Sequence, residues 1–271
     1  MLITRKPAAP LALFVEHLWF SERGALPHRR ERSLPTGCAD IVIPLLEGQD
    51  ILRYGSEDDA GARRLRGPIV QGAHDRHSVR GVEGPSRVAG VHFKPGGAAA
   101  LFGSLCAELR NRTELLEDLW GPAARHLQEQ LALAPTPHDA LALLEHLLAQ
   151  RLRATAPDPI IANALSSFER SPADALIEPI QQSTGLSTAQ FIRRFEANVG
   201  LTPKRYTRVR RFNALLPTLV RCGPRDWAQV AVDGGYYDQS HLIHEFRRLA
   251  GMTPSSYLPV QADQPTHVAI R

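Results

Sequence analysis

The sequence predicts an α+β chain of two parts: a β-rich, barrel-like domain with a helical appendix, then an all-α domain built from a repeated two-helix unit. Three observations carry this. From Phe14 to about His92, short apolar runs alternate with turn signals. After Lys94-Pro95-Gly96-Gly97 the apolar residues shift to three- and four-residue spacing, the period of amphipathic helices. Finally, Ser187–Tyr206 matches Asp238–Tyr257 at an offset of 51 residues, without a gap.

In the first part the clearest strand runs are Phe14-Val15, Asp40 to Leu46, Ile69 to Gln71 and Arg87 to Phe93. Gly48 to Gly67 and Gly81 to Ser86 read as Gly- and charge-rich loops. Ala98 to Phe102, Leu115 to Trp120, Ala123 to Leu133 and His138 to Arg153 read as helices, with Ala134-Pro135-Thr136-Pro137 separating the last two. Ala154 to Pro159, with two prolines, is the candidate linker. This gives a regulatory, sensor-like domain over residues 1–155, a helical domain over 156–258 and a loose polar tail over 259–271.

With 271 residues, 43% of them hydrophobic and 22% charged, the chain is long enough for two cores. Its apolar runs are too short for a spanning helix and its first ten residues lack a signal-peptide stretch, so the expected location is the cytoplasm and no membrane partner is expected. Cys38, Cys106 and Cys222 have no metal-ligand spacing, and an odd number argues against a disulfide framework; free thiols are expected. The net charge of +4 is modest, but between Ser187 and Cys222 eight basic residues face one acidic residue, Glu196. Such a local basic surface suits phosphates.

The repeat pairs Ser187 with Asp238, both good helix N-caps, and Phe191 with Leu242, Phe195 with Phe246 and Gly200 with Gly251. Thr202-Pro203-x-x-Tyr206 matches Thr253-Pro254-x-x-Tyr257. Upstream of each copy lies another short helix ending in glycine, Ile177 to Ser183 before Gly185 and Asp226 to Val232 before Gly234-Gly235. Helix, tight glycine turn and N-capped helix is the helix-turn-helix plan, so the second domain reads as a double helix-turn-helix. Pro179 fits only in the first turn of its helix.

Gly235-Tyr-Tyr-Asp-Gln-Ser-His-Leu-Ile-His-Glu-Phe-Arg-Arg and Gly251-Met-Thr-Pro-Ser-Ser-Tyr257 resemble the signature of AraC/XylS-family transcription regulators, over roughly Ile177 to Tyr257. The resemblance implies two recognition helices, about Ser187 to Val199 and Asp238 to Leu249, joined by a long helix and read into successive major-groove segments of double-stranded DNA. In that scaffold Ala189, Ile192, Arg193, Gln239, Ser240 and His244 are the candidate base readers. Arg194, Lys204, Arg205, Arg208, Arg211, Arg247 and Arg248 are the candidate phosphate contacts. RNA polymerase, a small-molecule effector and a second copy of the chain stand open as further partners. Two positions depart from the pattern: His244 stands where the family often has Arg, and Pro217 interrupts the joining helix, which is expected to end or kink there. Leu34-Pro-Thr-Gly-Cys-Ala-Asp-Ile-Val-Ile43, Phe93-Lys-Pro-Gly-Gly97 and Leu116-Glu-Asp-Leu-Trp120 resemble a sensor-like domain found ahead of this DNA-binding region; that implies architecture but no ligand.

The rival reading is a metal-binding, cupin-like enzyme or sensor with an accessory helical module. His74-Asp75-Arg76-His77 together with His92 offer imidazole and carboxylate ligands of the kind that hold Fe, Zn or Ni, at an unspecific spacing. Cys38 is a candidate redox-sensing thiol on equally slender grounds. No Gly-rich phosphate loop, GxSxG elbow, HExxH or convincing carboxylate pair occurs, so no cofactor and no enzymatic activity are expected.

Overall fold

The computed structural model describes residues 1–221, 226–261 and 264–270. Its first half runs β1 (Leu2–Arg5), β2 (Val15–Arg23), β3 (Arg30–Ser33), β4 (Asp40–Pro44), β5 (Ile51–Tyr54), β6 (Arg63–Leu65), β7 (Ile69–Gln71), β8 (Ser78–Gly81) and β9 (Ser86–Phe93). There follow α1 (Ala99–Phe102), α2 (Leu105–Glu108), β10 (Thr113–Leu115), α3 (Glu117–Trp120), α4 (Ala123–Ala132) and α5 (Pro137–Ala149). The second half is α6 (Pro159–Arg170), α7 (Ile177–Ser183), α8 (Thr188–Val199), α9 (Pro203–Arg221), α10 (Trp227–Asp233) and α11 (Gln239–Ala250), closed by β11 (His267–Ile270).

The strands form two antiparallel sheets, one in the order β1-β2-β9-β4-β7-β10 and one in the order β11-β3-β8-β5-β6. Alternation decides which side is buried: Leu18 and Phe20 of β2, Ile41 and Ile43 of β4, and Ala89, Val91 and Phe93 of β9 turn to one core. Helices complete it with Phe102, Leu127, Leu131, Leu141, Leu144 and Leu148. Thr136 caps α5 by accepting from the Asp139 N–H, with Pro137 at the first helical position where a missing N–H costs nothing. Asp158 caps α6 in the same way ahead of Pro159.

Four expectations are corrected. The segment Gly48 to Gly67, read as loop, contains β5 and β6, because Ile51 and Leu65 pair across the strands and bury together against Ile69. Leu115 ends a strand rather than opening a helix, since β10 completes the edge of β7. The joining helix α9 runs through Pro217 to Arg221. The proline removes one N–H bond a turn before the helix's described end, while Leu215, Leu216 and Leu219 hold that turn in the core. The expected loose tail holds a strand: β11 pairs antiparallel with β3, His267 opposite Ser33 through Ile270 opposite Arg30, and Val268 is buried. The unpaired edge of β3 supplies the hydrogen bonds that the polar sequence of the tail did not advertise.

The helical half has two cores. Phe191, Phe195, Val199, Leu201 and Tyr206 pack with Ile161, Ala164, Leu165 and Phe168 of α6. Leu242, Phe246, Leu249 and Tyr257 pack with Phe212, Leu215 and Leu216 of α9, and also with Leu34 and Val268.

Candidate nucleic-acid interface

In the first two-helix unit α7 ends at a turn where Gly185 adopts φ +70°, and Pro179 occupies the third position of α7, within its first turn. Ser187 then opens α8 with a reciprocal cap: its Oγ accepts from the Gln190 N–H at 3.3 Å, and the Gln190 side chain accepts from the Ser187 N–H at 3.0 Å. In the second unit Gly235 turns at φ +71°, and Asp238 caps α11 by accepting from the His241 N–H at 2.7 Å. Gly200 and Gly251 end the two helices in the left-handed region, at φ +83° and +71°. From cap to cap the two helices superimpose in sequence at the same 51-residue offset.

Phe191, Phe195, Leu242 and Phe246 are fully buried and orient their helices. The opposite face is open: Ala189, Ile192 and Arg193 on α8 and Gln239, Ser240 and His244 on α11 are all exposed. Lys204, Arg247 and Arg248 are exposed as well. Tyr237, which the sequence reading passed over, is 88% exposed directly before the Asp238 cap.

The other candidate phosphate contacts have partners inside the protein. Arg194 donates to both Asp158 oxygens at 2.7 and 3.1 Å, and Arg205 donates to Asp75 at 2.9 Å. Arg208 forks onto the buried Glu245 carboxylate and so ties α9 to α11. Burial opposes the charge on Glu245, but the hydrogen bonds and charge of Arg208 outweigh it and hold the carboxyl below its ordinary range. The Arg211 guanidinium lies 5.8 Å from the Tyr236 ring centroid.

The amino-terminal domain touches both units at corresponding points. A Cβ on Gly200 would stand 2.8 Å from the Cys106 carbonyl oxygen, and one on Gly251 would stand 2.5 Å from the His77 ring. Loop 72–77 bridges them: Ala73 joins the first core, Asp75 holds Arg205 at the start of α9, and the His77 N–H donates to the Leu249 carbonyl at 2.7 Å. Arg110 adds an ion pair to Glu196 on α8.

The histidines weighed as metal ligands are engaged separately. His74 Nδ1 bonds the Gly72 carbonyl at 2.6 Å, His77 lies 3.8 Å from Glu57, and His92 bonds Asp40 at 2.7 Å. Among the described residues no three His, Cys, Asp or Glu side chains gather as a metal ion requires. Cys38 and Cys106 are free thiols; Cys222 lies outside the described residues.

Residues 3–114 match the family described as a domain of unknown function (DUF6597), and residues 180–259 match the helix-turn-helix domain family. A protein of Streptomyces antibioticus named as an AraC-like transcription regulator is 30% identical over 131 residues, which cover 44% of this chain and 43% of that protein. A Haemophilus influenzae protein named as an HTH-type transcriptional regulator is 27% identical over 118 residues, covering 43% of this chain and 39% of that one. The chain thus spans less than half the length of the curated relatives it matches. Among solved structures, an apo variant of ToxT from Vibrio cholerae superimposes with a TM-score of 0.47 at 10% identity, over 89% of this chain and 96% of that one. No helix among the described residues is long and apolar enough to cross a membrane. The carboxy-terminal part of the chain therefore matches the helix-turn-helix domain family and is similar there to AraC-like regulators, behind an amino-terminal part that matches DUF6597.

Proposed function

We propose that the protein is a sequence-specific regulator of transcription that binds duplex DNA through α8 and α11. The observation that carries this is the duplication itself: two helices, capped and terminated alike at one fixed offset, each bury one face and leave the other open. On this reading Arg193 forks onto a guanine edge, Ala189 and Ile192 make apolar contacts beside it, and Gln239, Ser240 and His244 read the second half-site. Lys204, Arg247 and Arg248, which are exposed, grip phosphates first. Arg194, Arg205 and Arg208 do so only on leaving their carboxylates.

The amino-terminal domain sets the placement of the two units, and a ligand or self-association acts through it. A cavity of about 460 Å³ between the domains, walled by Phe14 and Lys94 on one side and Ile161, Leu165 and Arg170 on the other, favours the ligand route.

The test is to sequence the duplex fragments retained by the pure full-length protein, then titrate the recovered site at several salt concentrations. A shared motif of two half-sites one helical turn apart, with affinity falling steeply as salt rises, is the expected result. Retention without a motif, or a flat salt response, overturns the reading.

A further inference from the structure

The turn of the second helix-turn-helix unit is one residue longer than that of the first. Helices α7 and α10 correspond at an offset of 50 (227 − 177), Ile177 with Trp227 through Ser183 with Asp233. Helices α8 and α11, with their caps, correspond at 51 (238 − 187). Gly185-Leu186-Ser187 in the first turn therefore stands against Gly235-Tyr236-Tyr237-Asp238 in the second. The two glycines turn alike, at φ +70° and +71°. Leu186 packs on the first core and Tyr236 is buried in the second. The added residue is Tyr237, and it is the one that stands 88% exposed.

The backbone on either side of Tyr237 is held. Its N–H donates to His241 Nδ1 at 3.2 Å, and the His241 ring stands edge-on to Tyr236 with centroids 5.6 Å apart. Just before it, a Cβ on Gly235 would lie 2.3 Å from the Ala173 carbonyl oxygen, so the turn is seated on the segment that leads into α7. A side chain with two rotatable torsions on such a support presents its ring and hydroxyl at small entropic cost.

The groups around it indicate what it meets. Where α8 opens on the hydroxyl of Ser187, α11 opens on the carboxylate of Asp238, which accepts from the His241 N–H at 2.7 Å. That carboxylate offsets the positive end of the helix and repels an approaching phosphate. The first arginine after the cap comes six positions on in α8, at Arg193 (193 − 187), but nine on in α11, at Arg247 (247 − 238). The entry of α11 is thus poor in cations, and its exposed Gln239 and Ser240 face base edges on the reading above. What remains there for the DNA backbone is the Tyr237 hydroxyl, the donor with the longest reach among the exposed residues 237–240. Tyrosine is among the side chains that donate to phosphate oxygens and so fix the register of a helix in its groove.

We infer that Tyr237 grips the DNA backbone at the edge of the second half-site: its hydroxyl donates to a phosphate oxygen, its ring lies along the adjoining sugar, and the contact sets how α11 enters the groove. The inference rests on α8 and α11 being the DNA-reading helices. The first unit, whose turn lacks the added residue, makes no equivalent contact.

The experiment compares the full-length wild type, Tyr237→Phe and Tyr237→Ala on the recovered duplex site, by titration at several salt concentrations and by phosphate-ethylation interference. Both variants change an exposed side chain and should melt as the wild type does. Tyr237→Phe should bind at least about tenfold more weakly, and by the same factor on every sequence, with Tyr237→Ala weaker still. The dependence on salt should stay as steep as in the wild type, because a hydroxyl releases no counterion, whereas Lys204→Ala should lower the slope by about one. Ethylation of one phosphate beside the second half-site should block the wild type and lose that effect in Tyr237→Phe. Binding of Tyr237→Phe within about twofold of the wild type, an unchanged interference pattern, or the loss of a phosphate in the first half-site instead overturns the inference. Reduced transcription with DNA binding intact gives the ring to a protein partner and overturns it as well. A wild type that retains no site defeats the regulator reading and this contact together, whereas a wild type that binds beside unaffected variants removes the contact alone.

Discussion

The two helix-turn-helix units are copies of one plan, yet only the second draws on distant parts of the chain to close its core. The first has a helix of its own behind it, α6, whose Ile161, Leu165 and Phe168 close the core beneath Phe191 and Phe195. The second has α9 in that place, its Phe212, Leu215 and Leu216 standing 51 positions after Ile161, Ala164 and Leu165, and its core around Leu242 and Phe246 also takes in Leu34 from the amino-terminal domain and Val268 from β11. Even the same repeat position is used differently. Arg194 on α8 reaches the exposed side of Asp158, whereas its counterpart Glu245 on α11 is buried and gripped by Arg208. The two copies share the caps and the inward apolar positions, and each finds its remaining contacts wherever its surroundings offer them.

That contrast can be broken most sharply at the paired position. Glu245→Ala leaves the Arg208 guanidinium half-buried without its partner and should cost about 3 kcal/mol of stability, read by urea unfolding. A loss under about 1 kcal/mol would mean that the α9–α11 tie carries no more than its surface equivalent. Next in size is Arg193→Ala, which should weaken binding to the recovered site by about 2 kcal/mol and relax preference at one position of the first half-site only. Uniform weakening on all sequences would reduce Arg193 to a phosphate contact.

Val268→Ala tests whether the second unit leans on the tail. Losing two buried carbons should cost about 1.5 kcal/mol, with faster amide exchange in α11 than in α8. Equal exchange in both helices would sever the link. The same strap carries a pH dependence. Burial and the nearby Arg80 lower the pKa of His267 to about 3, so the unfolded chain takes up a proton near 6.5 and the folded chain does not. Stability tied to neutral His267 is therefore full above about pH 6.5 and declines as pH falls from there toward 3, by at most about 1.4 kcal/mol per unit. Melting at pH 7 and pH 5 should show a drop that is smaller in His267→Gln; equal drops would put the titration elsewhere. The smallest effect belongs to Arg194→Ala, which removes an exposed pair and should leave the urea midpoint unchanged.

Helices α8 and α11 were legible because everything that defines them is local: a capping side chain, apolar residues four apart and a terminal glycine. The strands of the amino-terminal sheets were legible only where apolar residues ran together, as in β4, β7 and β9. β5 and β6 carry one buried apolar anchor each amid charge, and their pairing, not their composition, makes them strands. In the basic cluster Arg193 and Lys204 are exposed, whereas the ion pairs of Arg194, Arg205 and Arg208 could not be seen in the sequence. Their carboxylate partners lie 36, 130 and 37 residues away, beyond any local pattern. The role of loop 72–77 was hidden for the same reason. Its histidines looked like ligands for a metal, and folding turns one of them onto the end of a helix more than 170 positions later.

The pairing of β11 with β3 also has a consequence in time. His267 follows Ser33 by 234 positions (267 − 33), so at roughly 5–20 residues per second a ribosome needs on the order of 12–47 s to make the partner of β3. Throughout that interval one edge of β3 faces solvent with its backbone groups unpaired, a template for association between nascent chains. Its sequence, Arg30-Glu31-Arg32-Ser33, is charged at three of four positions, which is the composition that keeps a waiting edge from joining a neighbour's.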